Sequence, residues 1–191
     1  MNAEQVLELY RKHNALLEGH FLLSSGLHSD KFLQSELIMQ HPCEVEAVIA
    51  ELVEKLGGVE FDVVVSPAIG GIRFGYELAR QMKKRTLFTE RVDGTMMLRR
   101  GFSIAKGEKV LLAEDVITTG KSTKECINAC INAGGDVVAV TCLIDRSGGK
   151  AAFDQPFIPL VQLDVQTFDP SVCPMCKEGT PAYKPGSRNI K

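Results

Sequence analysis

The stretch Lys109–Thr123, KVLLAEDVITTGKST, decides the reading of this chain. Val110-Leu111-Leu112-Ala113 is a short, bounded apolar run, the pattern of a strand buried on both faces of a parallel sheet. Glu114 and Asp115 follow side by side, then Thr118, Thr119, Gly120 and Ser122. From Lys121 onward Cys126, Ile127, Cys130 and Ile131 fall on one face of a helix. The order is therefore strand, polar turn, helix. Such a turn offers backbone N–H groups at a helix N-terminus, a ready anion site.

A phosphate suits this loop for chemical reasons. Gly120 lets the backbone approach closely, and the hydroxyls of Thr118, Thr119 and Ser122 can donate to phosphate oxygens. The helix dipole adds about 0.5–1 kcal/mol for a negative group. The acidic pair needs a different partner, because carboxylates beside a phosphate repel it. Ribose hydroxyls, or a hard divalent cation reached through water, fit Glu114 and Asp115. A ligand carrying both a phosphate and a diol satisfies the whole motif.

With those residues in view, Val110–Thr123 resembles the phosphoribosyl-pyrophosphate (PRPP) signature of the type I phosphoribosyltransferases. Three further stretches resemble the orotate phosphoribosyltransferases in particular: GHFLLSSGLHSDKFLQ (Gly19–Gln34), SPAIGGI (Ser66–Ile72) and LIDRSGG (Leu143–Gly149). The resemblance spans most of the chain from Gly19 to Lys150. It implies transfer of a 5-phosphoribosyl group from PRPP to orotate, with Mg²⁺ as cofactor and a homodimer whose lid is shared between subunits. Val116, Ile117 and Lys121 join the PRPP-binding residues by the same resemblance. The Mg²⁺ is expected to be held mainly by PRPP and water, with no direct protein ligand.

Composition sets the class. The 191 residues are 45% hydrophobic and 24% charged, an ordinary globular mixture long enough for a real core. No apolar run reaches the roughly 20 residues a membrane span needs. Met1–Gly19 lacks a signal-peptide core, so a cytoplasmic protein is expected. A net charge of −2 argues against a dedicated nucleic-acid binder. The six cysteines do not read as a disulfide framework; Cys126, Cys130 and Cys142 sit in apolar patterns as small core residues.

Along the chain, Asn2–Leu17 shows helical spacing through Val6, Leu9, Tyr10 and His13, and Gly19–Gln34 suggests a hairpin. By resemblance this hairpin belongs to a hood over the active site, with Ser24, Ser25 and Lys31 as candidate ligand contacts. Many orotate enzymes have a lysine where Ser24 stands, and this chain departs from that pattern. Pro42–Leu56 is a second helix, Phe61–Val65 a core strand, and Ser66–Gly71 a turn into a third helix. Resemblance makes Ala68, Ile69, Gly70 and Gly71 a pyrophosphate loop; from the residues alone, a ligand-free connection fits equally.

Arg85–Thr89 is the next strand, and Glu90–Ala105 is a loop of about sixteen residues, long enough to be functional. Arg91, Arg99 and Arg100 could close over a diphosphate, and a two-stranded excursion with solvated arginines is the alternative. Many orotate enzymes carry lysines and a histidine in this lid; this chain has arginines, which stabilise charge but do not readily give up a proton. Asp136–Ile144 is another strand, and Arg146 after it offers a fork for the orotate carboxylate, a surface arginine being the other reading. After a short strand over Pro159–Val165, the tail carries Cys173-Pro174-Met175-Cys176. One CxxC supplies two metal ligands where a structural zinc needs four, and His13, His20, His28 and His41 lie far away in sequence. A tail packed on the body or on a neighbouring subunit is expected, a zinc site being the other reading.

The expected architecture is α/β, a central mostly parallel sheet flanked by helices, in one domain over residues 1–191. It comprises a hood over about 1–40, a core over about 42–166 and a tail over 168–191 that could join the hood. Glu114, Asp115, Arg99 and Arg100 are the candidate catalytic residues, and Thr118, Arg146 and Ser24 the candidate orotate contacts. The PRPP loop alone does not exclude a purine as acceptor base, nor a PRPP-sensing regulator. Against the regulator, fewer than twenty residues precede the hood, too few for a DNA-binding segment.

Overall fold

A computed structural model describes residues 1–23 and 25–185. The chain opens with α1 (Ala3–Lys12), started by a capping box between Asn2 and Gln5. It continues through β1 (Leu16–Leu22), β2 (His28–Leu33), the one-turn α2 (Glu36–Met39), α3 (Pro42–Lys55), β3 (Val63–Pro67) and α4 (Gly71–Met82). Then come β4 (Arg85–Val92), β5 (Thr95–Leu98), β6 (Lys109–Ile117), α5 (Lys121–Asn132), β7 (Asp136–Asp145) and β8 (Phe157–Gln162). The tail adds β9 (Thr167–Phe168) and the short α6 (Pro174–Lys177).

The main sheet has the order β5-β4-β3-β6-β7-β8, parallel throughout except for β5. Alternation along each strand builds two cores. Val64, Leu111, Ala113, Ala139 and Leu143 pack with α1, α3 and α4. Val63, Val65, Val110, Leu112, Val140 and Cys142 pack with α5 on the other face. Phe74 and Leu78 of α4 are fully buried, each worth about 1.5–3 kcal/mol of transfer free energy. A second sheet, β1-β2-β9, forms the hood, so the tail does join it.

Four expectations need correction. The first helix ends at Lys12 rather than near Leu17: Asn14 takes a left-handed φ of 52°, which breaks the helix, and Leu16-Leu17 pair with Leu33 and Phe32 in the hairpin. The strand β6 runs four residues past Ala113, so Glu114 and Asp115 belong to a strand and not to a turn. Glu90–Ala105 is not a bare loop, because β4 and β5 form a hairpin around Asp93-Gly94 with φ of 48° and 84°. Both values are positive, as a two-residue type I′ turn demands.

The fourth correction concerns the histidines. His20 and His28, remote from the CxxC pair in sequence, lie directly against it. The hairpin brings position 28 opposite Leu22, β9 pairs with the start of β2, and Tyr183 runs beside Phe21 on the outer edge of β1. The tail therefore returns along both edges of the hairpin, carrying Cys173 and Cys176 to its turn end.

Candidate active site

The site grows from the C-terminal ends of two adjacent parallel strands, β3 and β6. Each leads through a glycine-containing turn into a helix, and the two helices lie on opposite faces of the sheet. In the β6 turn Gly120 has φ 70°, and a Cβ there would sit 3.0 Å from the Phe153 ring. No side chain caps α5 at Gly120, nor α4 at Gly70. Apart from Lys121 N–H, which reaches the Thr119 hydroxyl at 3.4 Å, and Ile72 N–H, which donates to the Ile69 carbonyl at 3.1 Å, the first turns of both helices offer N–H groups to an anion. Val116, Ile117, Thr118, Thr119, Gly120, Lys121, Ser122 and Arg91 line one cavity of about 480 Å³.

Because side chains alternate along a strand, the acidic pair divides between the two faces. Glu114 lies on the α5 face, buried, accepting from the Ser122 hydroxyl at 2.7 Å and from Thr123. Burial pushes its carboxyl up to about 7, with the Thr123 and Ser122 hydroxyls opposing the shift. Asp115 lies on the α4 face, so close to Gly70 that a Cβ at that glycine would sit 3.0 Å from Oδ1. Burial raises its carboxyl as well, partly countered by the Ser35 hydroxyl, which also meets the buried Tyr10 hydroxyl at 2.8 Å. Asp115 therefore stands between the two turns, while Glu114 braces the β6 turn from behind.

The raised Glu114 carboxyl has a measurable consequence. The folded chain keeps that proton up to about pH 7, whereas an ordinary glutamate loses it near 4.5. Native protein then binds more protons than unfolded protein between those values, so this residue's contribution to stability falls as pH rises through that window. The loss amounts to about 3 kcal/mol. Denaturant titrations at pH 5 and pH 7.5 are expected to show a smaller pH-dependent difference in Glu114→Gln than in the parent. An identical difference in both proteins would contradict the assignment.

A second cavity, of about 230 Å³, shares Ser25, Thr118 and Thr119 with the first. Its other walls are Leu23, Leu27, Arg146, Ser147, Lys150 and Thr167. Arg146 is buried, with one terminal nitrogen 3.4 Å from both the Ser29 hydroxyl and the Lys31 carbonyl. Its Nε and the Ser147 Oγ are buried without a hydrogen-bond partner among the described residues. Burial lowers the guanidinium's proton affinity, and the neighbouring Asp30 opposes that. Unpaired buried donors of this kind mark a place built for an acceptor. Ser24 lies outside the described residues. Leu23, Leu27 and Thr167 were not legible as site residues in the sequence, since only the folded hood brings them to Arg146; Lys150, four residues on in the same loop, was also missed.

In the lid, Arg91 pairs with Glu125 of α5 and donates to the Gly94 carbonyl at 2.8 Å. Arg100 pairs with Glu90 at 2.7 Å and lies over Phe88. Arg99 has no carboxylate partner among the described residues.

A family profile described as "Phosphoribosyl transferase domain" matches residues 34–172. An orotate phosphoribosyltransferase of Caldanaerobacter subterraneus subsp. tengcongensis is 51% identical over 190 residues, covering 100% of both chains. One from Caldicellulosiruptor saccharolyticus is 49% identical over 191 residues, again covering 100% of both. The chain belongs to the orotate phosphoribosyltransferase family. The crystal structure of an orotate phosphoribosyltransferase from Aeropyrum pernix superposes with a TM-score of 0.71, at 24% identity over 83% of this chain and 93% of that one. That likeness carries the fold. Among the described residues no helix is long and apolar enough to cross a membrane.

Proposed function

We propose that this chain joins orotate to PRPP, giving orotidine 5′-phosphate and pyrophosphate. The observation that carries the reading is the shared wall. Thr118 and Thr119 belong at once to the cavity of the phosphate loop and to the cavity lined by Arg146 and Ser147, whose Nε and Oγ have no partner among the described residues. A phosphoribosyl group in the first would present its anomeric carbon to a planar carboxylate in the second.

In this reading Thr118–Ser122 and the uncapped start of α5 hold the 5′-phosphate, and the Ala68–Gly71 turn holds the diphosphate through the N–H groups of Ile69, Gly70 and Gly71, that of Ala68 being bonded to the Thr89 carbonyl. Arg146 orients the orotate carboxylate, with Thr118 beside the ring. Asp115 meets the ribose diol, and Glu114 supports it from the α5 face. The negative charge of Asp115 favours the oxocarbenium character the sugar gains as the C1′–O bond breaks and the bond from the orotate ring nitrogen forms. Arg99 and Arg100 stabilise the departing diphosphate, Arg100 after leaving Glu90. No covalent nucleophile is needed, because positioning and electrostatics supply the rate.

The space beside Gly70 and the hard oxygens of Asp115 fit a Mg²⁺ held by PRPP oxygens and water. When bound, the cation neutralises charge on the leaving group. The proposal includes a cytoplasmic homodimer in which the β4–β5 lid reaches the partner's site.

The test follows orotate absorbance with PRPP and Mg²⁺, alongside a panel of purines. Loss of orotate alone supports the reading. Turnover of a purine, or PRPP binding without turnover of any base, would overturn it.

A further inference from the structure

Apart from the two cavities described above, four side chains with metal-binding atoms converge near the turn end of the hood hairpin. His20, His28, Cys173 and Cys176 bring their ligand atoms within 4.8 Å of one another. The Cys173 and Cys176 sulfurs lie 3.6 and 3.8 Å from His20 Nε2, and Cys176 Sγ lies 3.3 Å from His28 Nδ1. A tetrahedral zinc, with bonds of about 2.3 Å to sulfur and about 2.0–2.1 Å to nitrogen, holds its ligand atoms roughly 3.3–3.8 Å apart. The sulfur–nitrogen separations already match. The two ring nitrogens, 2.7 Å apart, would need to open by a fraction of an ångström.

The surroundings are prepared in the manner of a metal site. His20 Nδ1 faces the Thr180 carbonyl at 2.7 Å, and a carbonyl only accepts, so the proton sits on Nδ1 and Nε2 is the acceptor, here of the His28 Nδ1–H at 2.7 Å. Cys173 starts α6 and Cys176 lies in its only turn, so the CxxC spacing presents both sulfurs on one side. Both thiols are free, and Cys173, His20 and His28 are buried. Two soft sulfurs with two imidazoles select zinc over the hard cation that PRPP would bring.

We propose that His20, His28, Cys173 and Cys176 bind a structural zinc ion that ties the hood hairpin to the tail. Four protein ligands close the coordination sphere and leave no position for substrate, so the site is structural and separate from the chemistry. Binding requires both cysteines as thiolates, releasing their two protons to solvent, and the His28 proton moves to Nε2. The geometric claim stands on the cluster alone. Its functional consequence rests on the proposed orotate site: Leu23, Ser25 and Leu27 at the hairpin turn line the Arg146 cavity, and Ser29, next to His28, touches Arg146. The metal would set where the hairpin turn sits.

The experiment measures zinc by plasma mass spectrometry in full-length protein expressed with zinc, stripped of any affinity tag and gel-filtered. About one zinc per chain is expected in the parent, and little in Cys176→Ser or in a Cys173→Ser/Cys176→Ser variant. Cobalt in place of zinc is expected to give the intense visible bands of a tetrahedral thiolate complex, a readout that survives if the variants fold poorly. A chelator is expected to lower the melting temperature of the parent. Parent protein that retains no zinc after incubation with excess metal, or zinc retained equally by a folded double variant, would overturn the proposal. A raised orotate KM on zinc removal, with the PRPP KM unchanged, extends the result to the hood. Metal bound without any effect on orotate would leave the site standing and detach it from that pocket.

Discussion

Asp115→Asn is expected to reduce kcat by on the order of 10²–10³ while leaving the fold intact. The magnitude is that of removing one preorganised electrostatic group from a site where charge develops. Asp115 stands at the junction of the β3 and β6 turns, and Gly70 supplies the room in front of it. Asparagine keeps the shape and the neighbours but cannot offer negative charge to a cationic sugar. The stability readout separates this from structural damage. Because burial already works against the charged carboxylate, the neutral variant is expected to melt no lower than the parent. Steady-state kinetics and a thermal melt on the same preparation check both halves. A kcat within tenfold of the parent, or a drop in kcat matched by a drop in melting temperature, would contradict the assigned role.

Arg146→Ala is expected to raise the KM for orotate by about 10–100-fold, the worth of one charged hydrogen-bonding partner, with the KM for PRPP little changed. The buried guanidinium has an unpaired Nε in the second cavity, so the substrate carboxylate would complete its hydrogen bonding. The residue also touches Ser29 and Lys31 of β2, which raises a structural alternative. Arg146→Lys decides between the two. Lysine retains charge but not the fork, and is expected to recover only part of the orotate affinity. Equal rises in both KM values would instead mean that Arg146 chiefly holds the hood in place.

Much of this arrangement could be read from the chain. The apolar run before Glu114, the glycine after two threonines and the helical face of Cys126 and Cys130 gave the strand, turn and helix directly. They did so because a buried parallel strand and an amphipathic helix leave different periodicities. The division of Glu114 from Asp115 was harder. Polar residues at a strand end look like a turn, and only the pairing of Glu114 with Cys142 and Ile117 with Asp145 shows the strand continuing. The lid hairpin corresponds to the two-stranded alternative, for which Asp93-Gly94 is a strong two-residue turn signal, although the charges around it mask the strand alternation. Leu16 and Leu17 extended the helical spacing by chance, as short apolar runs do. The histidine–cysteine cluster combined a hairpin that the sequence indicated with a tail whose course it did not. His20 and His28 flank the Ser-Ser-Gly turn at positions that a hairpin brings together, but nothing local revealed that Cys173 returns to them.

The path of the tail also bears on how the molecule comes into being on the ribosome. Synthesis proceeds from the N-terminus, so residues 63–145, which contain both glycine turns, emerge before Thr167 and Tyr183, which complete the hood. The β1–β2 hairpin is made early, directly after α1, and its two outer edges stay open until those late residues arrive. A nascent chain thus acquires the means to hold a phosphate before it acquires a finished pocket for the base. Chains stalled between these points are expected to be cut by added protease within the hairpin, and finished chains to resist.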